Sequence, residues 1–420
     1  MSKNSLYFVF VLLFVSSALA ENSQVERLHQ QCYELLDSNL DSAYLIAEQA
    51  NLIAAEDDDR FLQAQSIFIQ AYILRVQDKM GESFAKNLDA LKLLNDLTTD
   101  KAITTQLKLL VNTGEILEHH YAFDQAIYYY NRGIDLALKY GKSDRLVNLY
   151  YNKAVAAQIN KETEKALESV ENAIDLALKL DNEVVLVESM NLKGLILIEM
   201  EEFEESRQIF QGIIQYTFKN ENRSRSIGNA WHNVGHSYGS EGKWQLANEA
   251  YQKALPYRSE SVDSKGMFVT YLDLTEVNYF LDNYREADRF GNLAEQLYDQ
   301  ADLQPENYRL FDLRSKIALK EHNSPKAFEY VQRYYQENMS FLQIQSELLK
   351  TRSQYKMEVL TAGFFNSGSH NNDHTSLLEY LAWLAGLSMF ALILSFRIKN
   401  WLVKRSIERE LIKIDNESIV

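Results

Sequence analysis

The chain is poor in the residues that punctuate sheets or staple small domains. Its 420 residues include three prolines, fifteen glycines and a single cysteine, Cys32. A sheet-rich protein of this length needs far more turn residues between its strands. The composition therefore reads as long helices joined by short connections. One cysteine excludes an intrachain disulfide, so packing alone must hold the fold, and a chain this long can bury enough surface for that. Exported eukaryotic domains of this size usually carry several cysteines, which makes a bacterial periplasmic domain the better expectation. No glycine-rich phosphate loop, no strand-borne nucleophile elbow and no cysteine–histidine pairing of metal-site spacing is expected. With no constellation to carry a reaction, the chain reads as a non-enzyme with no catalytic residue, no cofactor and no metal site. Positive charge is scarce too: 43 basic residues stand against 59 acidic ones, a formal net charge of −16. A body so electronegative repels phosphate backbones, and nucleic acid is not an expected partner.

Long apolar runs occur twice. Lys3 precedes the run Leu6 to Val15, and Ala18-Leu19-Ala20 comes before Glu21. A basic start, a short apolar stretch and an Ala-x-Ala end make residues 1–20 a secretory signal peptide. The second run, residues 377–396, contains no charge from Tyr380 to Phe396. Such a helix is about 26 Å long, enough to cross a bilayer core. Arg397, Lys399, Lys404 and Arg405 follow it, which places that end in the cytoplasm by the positive-inside rule. The expected topology is a single pass through the bacterial inner membrane, with the large N-terminal part periplasmic and residues 397–420 forming a short cytoplasmic tail.

Between these runs the sequence repeats. Ala43, Ser83, Ala126, Ala166, Ser206, Ala247, Ala287 and Ala327 are spaced by 40, 43, 40, 40, 41, 40 and 40 residues. Twelve residues before each lie Gln31, Ala71, Gly114, Ala154, Gly194, Gly235, Thr275 and Ser315, small in seven of eight cases. Seven residues after each, six of eight are small as well, among them Ala90, Gly133, Ala173 and Ala254. Small residues at fixed spacing are what close helix crossings require. The sixth copy shows the full pattern: Trp231, Val234, Gly235, Tyr238, Ala247, Tyr251 and Ala254.

This pattern resembles the tetratricopeptide repeat (TPR), with Ser259 standing where that family often has proline. The resemblance covers residues 24 to about 340 in eight copies. It implies an all-α, right-handed superhelical solenoid of about eight helix pairs over residues 21–340. The family's usual period is 34 residues, so each helix here is expected to be about one turn longer. In the family the first helix of each pair lines a concave groove that takes peptides or partner helices. Two residues before the small position of that helix stand Asn112, Asn152 and Asn233. An asparagine amide can pair with both a peptide carbonyl and a peptide N–H, so the resemblance implies peptide-backbone recognition there. Leu192 and Asp273 interrupt the series. His232 and His236 have an i, i+4 spacing but no third ligand, and read as polar groove residues rather than a metal site. Asp57-Asp58-Asp59 reads as a solvated loop, and Tyr128, Tyr130, Tyr251 and Tyr271 as core or groove filling.

Beyond the repeats, residues 341–362 carry an apolar stripe (Phe341, Ile344, Leu348, Tyr355, Val359) that fits a connector helix or a dimer-forming coiled coil. Residues 363–376 are a Gly/Ser/Asn linker. In the tail, Ile407, Leu411 and Ile414 form a second stripe suited to a signalling partner, a second copy or the bilayer surface. The order of parts is similar to bacterial periplasmic-TPR single-span sensors, diguanylate cyclases above all. A Gly-Gly-Asp-Glu-Phe output motif is missing, since Gly-Gly occurs nowhere, so that activity does not carry over. Three readings follow: the sensory half of a signalling system, an envelope scaffold or assembly factor holding protein clients, or a truncated remnant of a longer sensor.

Overall fold

The computed structural model describes residues 24–216, 223–298 and 305–339. All regular structure among them is helical. The N-terminal part holds α1 (24–35), α2 (Leu40–Glu56), α3 (Arg60–Val76), α4 (Met80–Leu94), α5 (Asp100–His119), α6 (Phe123–Lys139) and α7 (Ser143–Ile159). Next come α8 (Thr163–Lys179), α9 (Glu183–Glu199), α10 (Phe203–Gln215), α11 (Arg223–Ser240) and α12 (Trp244–Glu260). The last are α13 (Ser264–Phe280), α14 (Tyr284–Tyr298), a 3₁₀ turn (Pro305–Tyr308), α15 (Arg309–Lys320) and α16 (324–339). The chain divides between Ala156 and Ala157 into two compact modules. The expected signal peptide (1–20), connector (341–362), linker (363–376), span (377–396) and tail (397–420) lie outside the described residues. Among the described residues no helix is long and apolar enough to cross a membrane.

One turn recurs through both modules. Asp58, Asp78, Tyr121, Lys161, Asp181, Glu201, Val262, Asp282 and His322 have φ between 53° and 65°, and Gly141 and Gly242 share the left-handed conformation. Each follows the C-cap of a helix. The next residue donates its N–H back across the turn, as Asp59 does to the Ala54 carbonyl and Asn182 to that of Ala177. This is the Schellman arrangement, which satisfies carbonyls that the helix end leaves open. The same residue is the N-cap of the following helix, and in some turns its side chain caps it: Asp59 accepts from the Phe61 and Leu62 amides, Asn182 from Val185 and Asp263 from Gly266. One helix thus ends and the next begins within three residues, which sets a period of 20 per helix and 40 per pair. Only two of these eleven positions are glycine, so the scarcity of glycine is met by accepting left-handed backbone in ordinary residues, at a cost of about 1 kcal/mol each. The single 43-residue spacing is explained by α5, which at 20 residues is three longer than the 17-residue helices α3 and α6.

The eight small residues from Ala43 to Ala327 all lie on second helices and are fully buried. Their partners on the first helices correct one expectation. Ser83 meets Ala71 in the second pair, where its Oγ donates to the Ala71 carbonyl at 2.7 Å, but the crossings that carry a glycine are not small against small. A Cβ on Gly194 would lie 2.5 Å from the Phe210 ring, and one on Gly235 would lie 2.6 Å from Tyr251. Gly114 faces Tyr130 in the same way. The glycine is a notch for an aromatic ring four residues past the small position on the second helix. In the seventh pair the sizes are exchanged: Gly291 occupies the ring position and a Cβ there would sit 3.4 Å from the Thr275 methyl. Gln31, at the equivalent place in α1, is exposed, so the first pair lacks this crossing. Tyr130 and Tyr251 are core residues as expected and Tyr271 is half-buried, whereas Tyr128 is 52% exposed and fills nothing.

Candidate functional site

In the N-terminal module the first helices enclose a cavity of about 390 Å³. Its lining comes from these helices alone: Tyr33 and Leu36 on α1; Phe68, Ile69, Tyr72 and Arg75 on α3; Leu107, Lys108, Val111 and Asn112 on α5; Arg145 and Asn148 on α7. Residues three and four apart share a helix face, so each helix contributes one stripe. Ile69 and Leu107 form a buried floor, Phe68, Tyr72, Val111 and Leu36 are half-buried, and Tyr33 is exposed at the edge. No carboxylate lines the cavity. Arg75 is held by Glu115 at 2.6 Å and Arg145 lies beside its neighbour Asp144 at 3.2 Å. Lys108 is exposed, with no ion-pair partner among the described residues.

The expected asparagines part ways here. Asn112 lines the cavity and is half-buried. Asn152 does not line it and lies beside the buried Tyr130 hydroxyl, which also faces Glu118. Burial pushes the Glu118 carboxyl up to about 7, against the opposing pull of the nearby Tyr130 hydroxyl.

In the C-terminal module the equivalent positions are tied to one another. The Asn233 side chain, 8% exposed, donates through Nδ2 to Asn191 Oδ1 at 2.7 Å. His232 is buried rather than groove-lining: Nδ1 lies 3.2 Å from Thr270 Oγ1, Nε2 lies 3.5 Å from Asp273 Oδ2, and the ring sits against Tyr251. Desolvation first, and then the Arg258, His236 and Arg309 charges, hold its pKa well below the usual histidine value. Asp273 also accepts from Arg309 at 2.9 Å, and burial pushes its carboxyl up to about 7. His236 is exposed, and partial desolvation followed by the Arg309 charge lowers its pKa.

A regular rule underlies both pairings: the residue three before the small position of one first helix meets the residue two before it on the next. In the C-terminal module these pairs are Asn191 with Asn233 and His232 with Asp273, polar against polar. In the N-terminal module the residue opposite Asn112 by the same rule is Phe68, which offers no hydrogen bond. The distinction was legible only once adjacent first helices were aligned. The cavity residues Tyr33, Phe68, Tyr72, Arg75, Lys108, Arg145 and Asn148 were missed, although a 3,4-spaced stripe on each first helix marks most of them.

One motif also escaped the sequence reading. Gly235-His236-Ser237-Tyr238-Gly239 has the spelling of a nucleophile elbow, which requires a sharp strand-to-helix turn. Here it lies inside α11, and buried Ser237 Oγ donates to the Phe203 carbonyl at 3.2 Å and accepts from Arg207 at 3.2 Å. Ser237 is a structural residue. Among the described residues no group of three or more His, Cys, Asp or Glu side chains is placed to hold a metal ion.

No family model matches the chain. No curated protein matches it in sequence either. Solved structures do. The apo form of the quorum sensor NprR from B. thuringiensis aligns at 16% identity and a TM-score of 0.55, over 80% of this chain and 94% of that one. The apo form of RapI aligns at 12% identity and a TM-score of 0.51, over 66% of this chain and 98% of that one. A tetratricopeptide repeat protein from Parabacteroides merdae aligns at 15% identity and 0.47, over 69% and 98%. The fold is a TPR-like helical repeat.

Proposed function

We propose that the protein is a non-enzymatic, membrane-anchored receptor that binds a peptide or protein segment in the groove of its N-terminal module. The observation that carries this reading is the cavity itself: about 390 Å³, concave, apolar at its floor and lined by stripes from four first helices. Its size lies within the range of ligand sites. NprR, which shares the fold, is a quorum sensor, and a sensory role for this chain is consistent with that likeness. The anchoring part of the proposal rests on residues 1–20 and 377–396 of the sequence, which direct the repeats to the periplasm and the tail to the cytoplasm.

A photo-crosslinking amino acid at Lys108 or Asn112 should capture the partner in cells, while one at Leu138, 57% exposed and outside the cavity, should not. Equal capture from all three positions would refute the groove. Protease added after permeabilising the outer envelope should digest the repeats and spare a C-terminal tag. Replacing residues 397–420 with an unrelated basic sequence separates receptor from scaffold, because only a receptor loses function.

A further inference from the structure

The cavity of the N-terminal module differs chemically from the chain that surrounds it. The protein carries a net charge of −16, yet the lining holds three cations and no carboxylate. Arg75 is committed to Glu115, an ion pair between α3 and α5. Lys108 and Arg145 are not committed in this way. Lys108 reaches solvent without an ion-pair partner among the described residues, and Arg145 meets only Asp144, its own exposed neighbour in sequence. Surface pairs of that kind are weak and exchange readily for another anion.

Apolar surface sits between and below these cations. Phe68, Tyr72 and Val111 are half-buried, with no described residue covering their cavity faces, over the buried Ile69 and Leu107. An aromatic or branched side chain placed there leaves water and is stabilised by the burial. Asn112 adds an amide whose neighbour by the repeat rule, Phe68, cannot pair with it, which leaves it for a backbone group of whatever enters.

Resting on the groove-binding reading above, we infer that the occupant is an acidic peptide segment that presents one bulky apolar side chain. The apolar residue is seated over Phe68, Tyr72 and Val111, while carboxylates on either side meet Lys108 and Arg145. Charge complementarity of this kind governs which partners approach more than how tightly they hold. A basic segment would meet the like charges of Lys108 and Arg145 and is rejected. An acidic segment without the apolar residue leaves the floor uncovered and binds weakly.

The test uses the purified full-length protein in detergent micelles and three fluorescent octapeptides, acetylated and amidated so that no terminal carboxylate contributes. One is rich in glutamate with a central phenylalanine, one replaces the glutamates by lysines, and one replaces the phenylalanine by serine. By fluorescence anisotropy the first should bind about tenfold or more tighter than either of the others, and should weaken as salt is raised. Lys108→Glu with Arg145→Glu, both at solvent-accessible positions, should reverse the ranking of the glutamate and lysine peptides. A lysine peptide that binds wild type as tightly as the acidic one, or a ranking unmoved by the charge reversal, overturns the acidic assignment while leaving the groove in place. Equal binding of the phenylalanine and serine peptides overturns the apolar anchor. If no peptide binds, or if Val111→Trp, which fills the cavity, leaves binding of all three unchanged, the groove reading fails with it. Retained helical circular dichroism confirms that each variant is folded.

Discussion

The two modules build the same helix pair from the same turn, yet they use the inner faces of their first helices in opposite ways. In the C-terminal module those faces are occupied from within. Asn233 is bound to Asn191, Asp273 lies between His232 and Arg309, and the charge of Arg258 is buried nearby beside Asn229. Farther along, Arg314 on α15 is 1% exposed and pairs with Asp288 and Glu295 beneath the Tyr330 ring. In the N-terminal module the corresponding surface is aromatic and aliphatic, and it stays open around a cavity. Buried polar groups that satisfy each other specify a single arrangement of helices but leave little for a ligand. An apolar surface with a few uncommitted polar groups has the character of a ligand site. One repeat thus supports two kinds of inner face, and the difference lies in residues at two positions per helix.

The largest expected effect tests the notch that both modules share. Gly235→Leu forces a side chain into the Tyr251 ring and should cost about 3 kcal/mol or more in denaturant unfolding. Adding Tyr251→Ala should recover part of that loss, because the exchange of large and small copies what Thr275 and Gly291 already do. A Gly235→Leu protein that unfolds like wild type would place the crossing elsewhere.

Next comes pH. Asp273 has a folded pKa of about 7, above its value of about 3.9 in an unfolded chain. A raised carboxyl stabilises the fold fully below the unfolded value and loses that contribution as pH rises through the folded one. Asp273→Asn should therefore gain on wild type between about pH 4 and pH 8, by roughly 4 kcal/mol. Glu118→Gln in the N-terminal module should show the same sign, since burial raises Glu118 to about 7 too. His29 and His120, each lowered to about 4 mainly by burial, act in the opposite sense as pH falls below their unfolded value. Only the difference between variant and wild type is informative. A difference that is flat with pH would mean that Asp273 is not buried as the structure has it.

A smaller pair of effects separates the modules directly. Asn233→Ala removes the donor to Asn191 and should cost about 1 kcal/mol of stability, a typical hydrogen bond. Asn112→Ala should leave the unfolding curve within about 0.5 kcal/mol and weaken peptide binding several-fold. If Asn233→Ala weakens binding instead and Asn112→Ala weakens folding, the roles of the two inner faces are exchanged.

The smallest effect concerns the turn. Val262, β-branched and 81% exposed at φ 53°, is the costliest occupant of that conformation. Val262→Gly should stabilise the protein by about 0.5–1 kcal/mol. Gly141→Val, the reverse change in the N-terminal module, should destabilise it by a similar amount, and a differential scanning calorimeter would detect both.

Helix content, the 40-residue period and the buried second-helix positions were all legible in the sequence, because a small residue at a crossing repeats with the element that needs it. The first helices as lining were legible through resemblance alone. The identity of the lining was not. Asn112, Asn152 and Asn233 hold the same place in their copies, yet one faces a cavity, one lies beside the Tyr130 hydroxyl and one is bound to a neighbouring helix. What ties Asn233 down is the residue three before the small position on the preceding first helix, Asn191, 42 residues away in sequence.

By itself, then, the sequence determined which residues form helices, where each helix turns into the next and which face of each is buried. Those properties depend on local spacing, capping and the size of single side chains, all of which act within one or two turns of chain. Only the tertiary structure decided that Gly235 is a notch for a ring, that His232 is buried and that the open site lies in the N-terminal module. Each of these depends on which side chain stands opposite across a helix–helix contact. A polar group is a ligand contact or a structural tie according to whether that opposite residue can pair with it.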